Sequence, residues 1–125
     1  MKKEFEIKDS GERATFSSGM QRDSAEKIRY DLIPTWMLTR FAEHLTKGSH
    51  KYKPRNWERA STPQELDRFI QSFWRHWMQY LDGEDSEDHF SAIVFNLCGI
   101  DLVRQKLGKD WQKQLEEFRM KEGDL

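Results

Sequence analysis

Five carboxylates fall within seven residues in Asp82-Gly83-Glu84-Asp85-Ser86-Glu87-Asp88, and His89 follows directly. A carboxylate near a helix start gains ~0.3–1 kcal/mol from the helix dipole, which explains one or two of them but not five that repel one another. A hard divalent cation relieves such repulsion and keeps positions open for phosphate oxygens. Glu84, Asp85 and Asp88 are the candidate ligands. A helix beginning near Ser86 puts Asp88 and His89 in its first turn, and Asp85 can approach Asp88 at i, i+3 spacing. A solvated, over-capped helix start is the plainer alternative. Farther along the same helix, Asp85, His89, Ala92, Asn96 and Gly99 form a lane of polar and small residues. Such a lane either flanks a flat ligand or packs against a helix that Asn96 hydrogen-bonds.

A second constellation is cationic. Lys47, Lys51, Lys53, Arg55 and Arg59 lie within thirteen residues against one acid, Glu58, and are interleaved with Tyr52, Asn56 and Trp57. Cations for phosphates, an amide and rings for a base together suit a nucleotide; a solvated charged surface is the alternative. A strip this short on a neutral chain favours a mononucleotide over single-stranded nucleic acid. The third constellation is Arg75-His76. His76 shares a helical stripe with Phe69, Phe73 and Tyr80 and so points inward, either as a satisfied core histidine or as a group beside the acidic turn. Glu43, Lys47 and Lys51 share a face of an earlier helix, whereas His44 and His50 read as surface residues. No G-x-S-x-G elbow, zinc-type Cys/His pairing, Walker A or dinucleotide glycine pattern is present. The chemistry indicated is metal-assisted attack of water on a phosphate.

Helices must position these groups. Trp36, Leu38, Phe41, Ala42 and Leu45 recur at helical spacing after Pro34, with Gly48 as a C-terminal stop and a loop over 49–61. Thr62, Pro63 and Glu65 form a capping box for a second helix carrying Leu66, Phe69, Ile70, Phe73, Trp77, Tyr80 and Leu81, ended by Asp82-Gly83. A third helix is expected from near Ser86 to about Leu107, and Asp110 can cap a fourth carrying Trp111, Leu115 and Phe118. The first 33 residues read as an extended arm with alternating runs around Phe5-Ile7 and Ala14-Phe16 and room for a small hairpin; residues 34–125 form the helical part of a single domain.

With 125 residues the chain suits one core, working alone or as an oligomer. Its 21 bases and 22 acids leave a net charge of -1, so no global field draws it to nucleic acid or anionic lipid. The single Cys98 sits in an apolar run, reads as a buried small hydrophobe, and cannot form an internal disulfide. No membrane-length apolar stretch occurs, and Met1-Lys2-Lys3-Glu4 opens no leader core, so a cytoplasmic protein is expected. Sixteen aromatic residues, five of them Trp, argue for a folded chain despite the low mean hydropathy.

The motifs Asp9-Ser10-Gly11-Glu12-Arg13, Ser18-Gly19, Arg22-Asp23-Ser24, Lys27 and Arg29-Tyr30-Asp31-Leu32-Ile33-Pro34, in this order, resemble the opening of the phage dATP/dGTP diphosphohydrolase-like proteins, a MazG-like all-α group. The resemblance continues through Gly48, Lys51-Tyr52, Asn56-Trp57-Glu58, Arg75-His76, Gly83-Glu84, Glu87-Asp88-His89 and Phe95-Asn96, covering about residues 9–103. It implies an all-α, MazG-like bundle of about four helices, usually a homo-oligomer, that uses Mg²⁺ or Mn²⁺ to release pyrophosphate from a purine deoxynucleoside triphosphate, and a host cytoplasmic location for a phage-encoded chain. On this scheme Glu84, Asp85 and Asp88 hold the metal and Glu43 or His76 completes the shell. His89 or His76 orients or deprotonates water, and Asp88 belongs to the same catalytic group. Lys27, Arg29, Lys51 and Arg75 neutralise the triphosphate, while Tyr52, Asn56, Trp57 and Asn96 face the nucleoside. The E-E-x-x-E run of better-known MazG enzymes is absent; only Asp85-x-x-Asp88 or Glu84-x-x-Glu87 resembles their second motif. That departure motivates an alternative, a non-catalytic module that sequesters a nucleotide.

Overall fold

The structure, a computed structural model, describes residues 3–122; Met1 and Lys2 of the opening, and the last three positions of the expected helical part, lie outside the described residues. The chain divides into two compact units between Pro34 and Thr35.

In the first unit, β1 (Arg13–Thr15) pairs antiparallel with β2 (Gln21–Asp23), with Arg13 opposite Asp23 and Ala14 opposite Arg22. Gly19 closes the turn at a φ of +91°, donating its N–H to the Phe16 carbonyl at 2.8 Å. Asp23 gathers the Ser10 N–H, the Ser10 hydroxyl and the Ala25 N–H at 2.7, 2.6 and 2.9 Å. Those donors hold its carboxyl well below the ordinary range, the Ser10 hydroxyl contributing most.

The second unit is helical: α1 (Thr35–Lys51), a 3-10 turn (Asn56–Arg59), α2 (Pro63–Leu81), α3 (His89–Leu107) and α4 (Trp111–Glu122). Among the described residues four helices and a single two-stranded ribbon are the regular elements besides short 3-10 turns, so the fold is all-α and consistent with a MazG-like bundle. The capping box forms as expected, Thr62 accepting from the Glu65 N–H at 3.2 Å while the Glu65 carboxylate accepts from the Thr62 N–H at 3.1 Å. α2 and α3 are the principal packed pair, and α4 closes their distal end. Ala60, Leu66, Val103 and Leu115 form the buried centre, with Phe69, Ile70, Ile100, Leu107 and Trp111 around it. The buried Asp67 accepts from Arg119 Nε at 2.8 Å and Gln71 Nε2 at 2.7 Å, tying α4 to α2. Lys106 Nζ reaches from the end of α3 to the carbonyls of Glu58 and Ala60 at 2.6 and 2.8 Å, fastening the 3-10 turn. Several large apolar side chains remain exposed, among them Trp36 and Leu38 on α1 and Trp74, Met78 and Leu81 on α2. Among the described residues no helix is long and apolar enough to cross a membrane.

Gly99 lets the two main helices approach. A Cβ there would stand 2.5 Å from the nearest Phe69 ring atom, so Gly99→Ala is expected to cost about 1–3 kcal/mol by overpacking, read as a lower urea midpoint at unchanged slope.

Three local expectations are corrected. α1 does not stop at Gly48 but runs to Lys51, because Gly48 keeps a helical backbone and its carbonyl still accepts the Tyr52 N–H at 3.1 Å; the loop expected over 49–61 is correspondingly shorter and contains the 3-10 turn. α3 starts at His89 rather than near Ser86, because Asp88 is the N-cap, accepting from the Ser91 N–H and hydroxyl at 3.1 and 2.7 Å. Cys98 is exposed rather than buried. It stands two residues from the buried Asn96, about 200° around the helix.

Candidate functional site

The acidic turn does not splay into solvent. Gly83 leaves α2 at a φ of +77°, Glu84 turns back to accept the Ser86 N–H at 2.7 Å, and its other oxygen meets His89 Nε2. His89 is 2% exposed, and its Nδ1 faces His76 Nδ1 at 2.9 Å. Glu84, His89 and His76 thus form a continuous carboxylate–imidazole–imidazole chain from the α2–α3 turn through the start of α3 to the middle of α2. The Ser86 and His89 bonds pull the Glu84 carboxyl down to about 2. Burial lowers the His76 pKa, and the Arg75 charge adds to the effect. With the Glu84 carboxylate accepting from His89 Nε2, the Nδ1–Nδ1 contact pairs one ring as donor with the other as acceptor.

Glu87 completes the group: one ligand atom each from His76, Glu87 and His89 lie within 4.8 Å of one another. Two imidazole nitrogens and a carboxylate oxygen, with Glu84 orienting one ring from behind, are a donor set that fits a divalent cation.

The other expected metal residues sit differently. Asp88, the N-cap of α3, takes a two-pronged hydrogen bond from Arg40 Nε and a terminal guanidinium nitrogen at 2.9 and 2.8 Å. Arg40 in turn lies 4.7 Å from the Phe90 ring centroid. The Arg40 guanidinium, more than the Ser91 donors, holds the Asp88 carboxyl well below the usual carboxylate range. Asp85 and Glu43 are exposed and stand outside the three-residue group.

Beside this cluster lies a groove of about 1140 Å³ formed by the end of α1, the 3-10 segment, the start of α2 and Phe95 of α3. That exceeds the ~300–1,000 Å³ of common small-molecule sites. Tyr52, Asn56 and Trp57 line it, as do Lys53, Arg55, Arg59 and Arg68. Trp57, Phe69 and His44 all set their rings against Phe95, with centroids 5.7, 6.1 and 5.9 Å away. Arg55 holds a left-handed backbone, φ 62°, a conformation uncommon for a residue with a Cβ. His44 links the two regions: it lines the groove, burial lowers its pKa, and it feels the charges of Asp88 and Glu87.

The remaining expected residues of the second unit stand outside this constellation. Lys51 and Arg75 are exposed and do not line the groove, and Arg75 sits 3.5 Å from the Ser72 hydroxyl. Lys27 and Arg29 belong to the first unit, where Arg29 forks onto Asp31 at 2.8 and 2.7 Å. Asn96 is buried and donates to the Ala92 carbonyl of its own helix at 2.8 Å, not to a neighbouring helix. The lane expected to flank a ligand is filled by packing, since Phe69 occupies the space over Gly99. Glu87, which stands in the acidic run but outside the expected ligand set, joins the cluster, and His44, expected at the surface, is half-buried and lines the groove. Arg40 carried no signal, its partner being 48 positions away.

A family model described as dATP/dGTP diphosphohydrolase, N-terminal, matches residues 17–112, which include every residue of the cluster and the groove. No curated protein and no solved structure matches the chain.

Proposed function

We propose, since the chain belongs to the dATP/dGTP diphosphohydrolase N-terminal family, that it hydrolyses a purine deoxynucleoside triphosphate to the monophosphate and pyrophosphate with the help of a divalent cation. One observation carries the reading: a cationic, ring-lined groove and an imidazole–carboxylate cluster are joined through His44, which lines the first and lies within electrostatic reach of the second. Tyr52 and Trp57 offer faces for the base, and Asn56 offers an amide. Lys53, Arg55, Arg59 and Arg68 neutralise the phosphate tail, a set that takes over the role expected of Lys51 and Arg75. His76, His89 and Glu87 would hold the cation, which supplies Lewis acidity at the phosphate oxygens. Water attacks the α-phosphorus, the bond from that phosphorus to the bridging oxygen breaks, and pyrophosphate departs. His44, which lines the groove and whose pKa burial lowers, is the ring placed to receive the proton of that water. Glu84 holds His89 in place, and Asp88 holds the start of α3. The exposed apolar residues of α1 and α2 support self-association into a homo-oligomer.

A second reading, a module that sequesters nucleotide without turnover, is favoured by the engagement of Asp88 with Arg40, which leaves fewer free carboxylates than a two-ion centre uses. Incubation with dATP, dGTP and the other nucleoside triphosphates plus divalent cation decides between them. Pyrophosphate and monophosphate in equal amounts are expected. Saturable binding with unchanged nucleotide selects the sequestering module, and orthophosphate or triphosphate as product refutes the bond assignment.

A further inference from the structure

We propose that His76, His89 and Glu87 select a borderline first-row cation of the Fe²⁺, Co²⁺, Ni²⁺ or Zn²⁺ kind over Mg²⁺, an inference that rests on reading this cluster as the cation centre. The spacing is the first argument. Metal–imidazole bonds of ~2.0–2.1 Å at angles between square and tetrahedral separate two nitrogens by ~2.9–3.4 Å. The two Nδ1 atoms stand 2.9 Å apart, inside that range, so an ion beside the line between them is met by both once the rings turn and the Glu87 side chain closes on it. The second argument is orientation. Glu84 accepts from His89 Nε2 and thereby directs the Nδ1 lone pair inward, the carboxylate–imidazole–cation arrangement that fixes tautomer and raises ligand basicity.

The third argument is chemical class. Both rings are buried, at 7% and 2% exposure, so their nitrogens are inner donors rather than replaceable surface groups. Mg²⁺ demands oxygen ligands in a near-octahedral shell and gives up its waters reluctantly, whereas imidazole nitrogen suits the later first-row ions. Glu87 supplies the one carboxylate, from the exposed side of the cluster, and three protein donors leave positions free for water or a phosphate oxygen.

The test is titration of the untagged, metal-stripped full chain with Co²⁺ in the presence of millimolar Mg²⁺, following the visible absorption of bound Co²⁺, with Zn²⁺ competition by calorimetry. One equivalent of Co²⁺ is expected, displaced by Zn²⁺ and not by Mg²⁺. Glu87→Gln should weaken it about ten- to a hundredfold and His76→Gln at least as much, while Cys98→Ser leaves it unchanged. Glu87 is exposed, so its variant keeps the test decisive where His76→Gln fails to fold by circular dichroism. Absence of Co²⁺ uptake, displacement by Mg²⁺, or uptake insensitive to Glu87→Gln overturns the proposal. Bound Co²⁺ without pyrophosphate release preserves this site and defeats the hydrolytic reading; pyrophosphate release with Mg²⁺ and no Co²⁺ uptake does the reverse.

Discussion

Replacing His89 by glutamine is expected to lower pyrophosphate release by about 10²–10⁴-fold while leaving the helical circular dichroism spectrum intact. His89 is the residue on which the cluster converges: Nε2 meets Glu84, Nδ1 meets His76, and the ring is buried between α2 and α3. Glutamine retains polarity and much of the volume but cannot offer two opposed nitrogens to those partners. Glu84→Gln touches the same ring only from behind and should cost about 10–100-fold, as removal of an orienting partner does. Trp57→Ala makes the contrasting case. It alters the groove and not the cluster, so it should raise KM more than it lowers kcat. Steady-state pyrophosphate release by the three variants, with saturation curves for each, separates these outcomes; equal losses of kcat in all three would contradict the division of labour.

Asp88→Ala is expected to destabilise the fold by about 2–3 kcal/mol, the sum of a lost N-cap and lost charge-assisted bonds to Arg40. Urea unfolding measures it. The pH dependence has a definite sign. Arg40 and the Ser91 donors lower the folded pKa of Asp88 beneath its unfolded value near ~4. The stabilisation is therefore complete above that value and is lost as pH falls through it towards the folded one. Asp88→Asn keeps a capping group and should show a shallower acid limb. A separate loss precedes this one. Burial lowers the pKa values of His76 and His44, so below about pH 6.5 the unfolded chain takes up protons that the folded rings refuse, and stability declines with acidification there too.

The helices were legible because their signals are local. Thr62, Pro63 and Glu65 announce the start of α2 within four positions, and the apolar spacing after Pro34 announces α1. Of the arm's hairpin only one strand was legible: the run around Ala14–Phe16 overlaps β1, whereas the run around Phe5–Ile7 forms no strand and β2 lies in neither run. The site was legible in type but not in pairing. The acidic turn and the inward face of His76 are visible in the chain, yet which carboxylate meets which ring depends on where α3 begins. Starting it at His89 instead of near Ser86 makes Asp88 a cap, turns Glu84 towards the imidazole and leaves Glu87 for the cluster. Arg40 was illegible for another reason: its partner Asp88 stands 48 positions away, a distance in sequence that no periodicity encodes.

Lys106 carries a consequence for the dynamics of the whole bundle. Its ammonium group fastens the carbonyls beside Trp57 to the end of α3, a helix whose Leu107 and Val103 pack into the central cluster. Any molecule that orders the 57–60 segment therefore also suppresses fraying of the α3 terminus. Amide protons near Arg104 and Leu107 should exchange more slowly with deuterium when nucleotide is bound, and Lys106→Met should abolish that remote protection while leaving protection at the Trp57 segment itself.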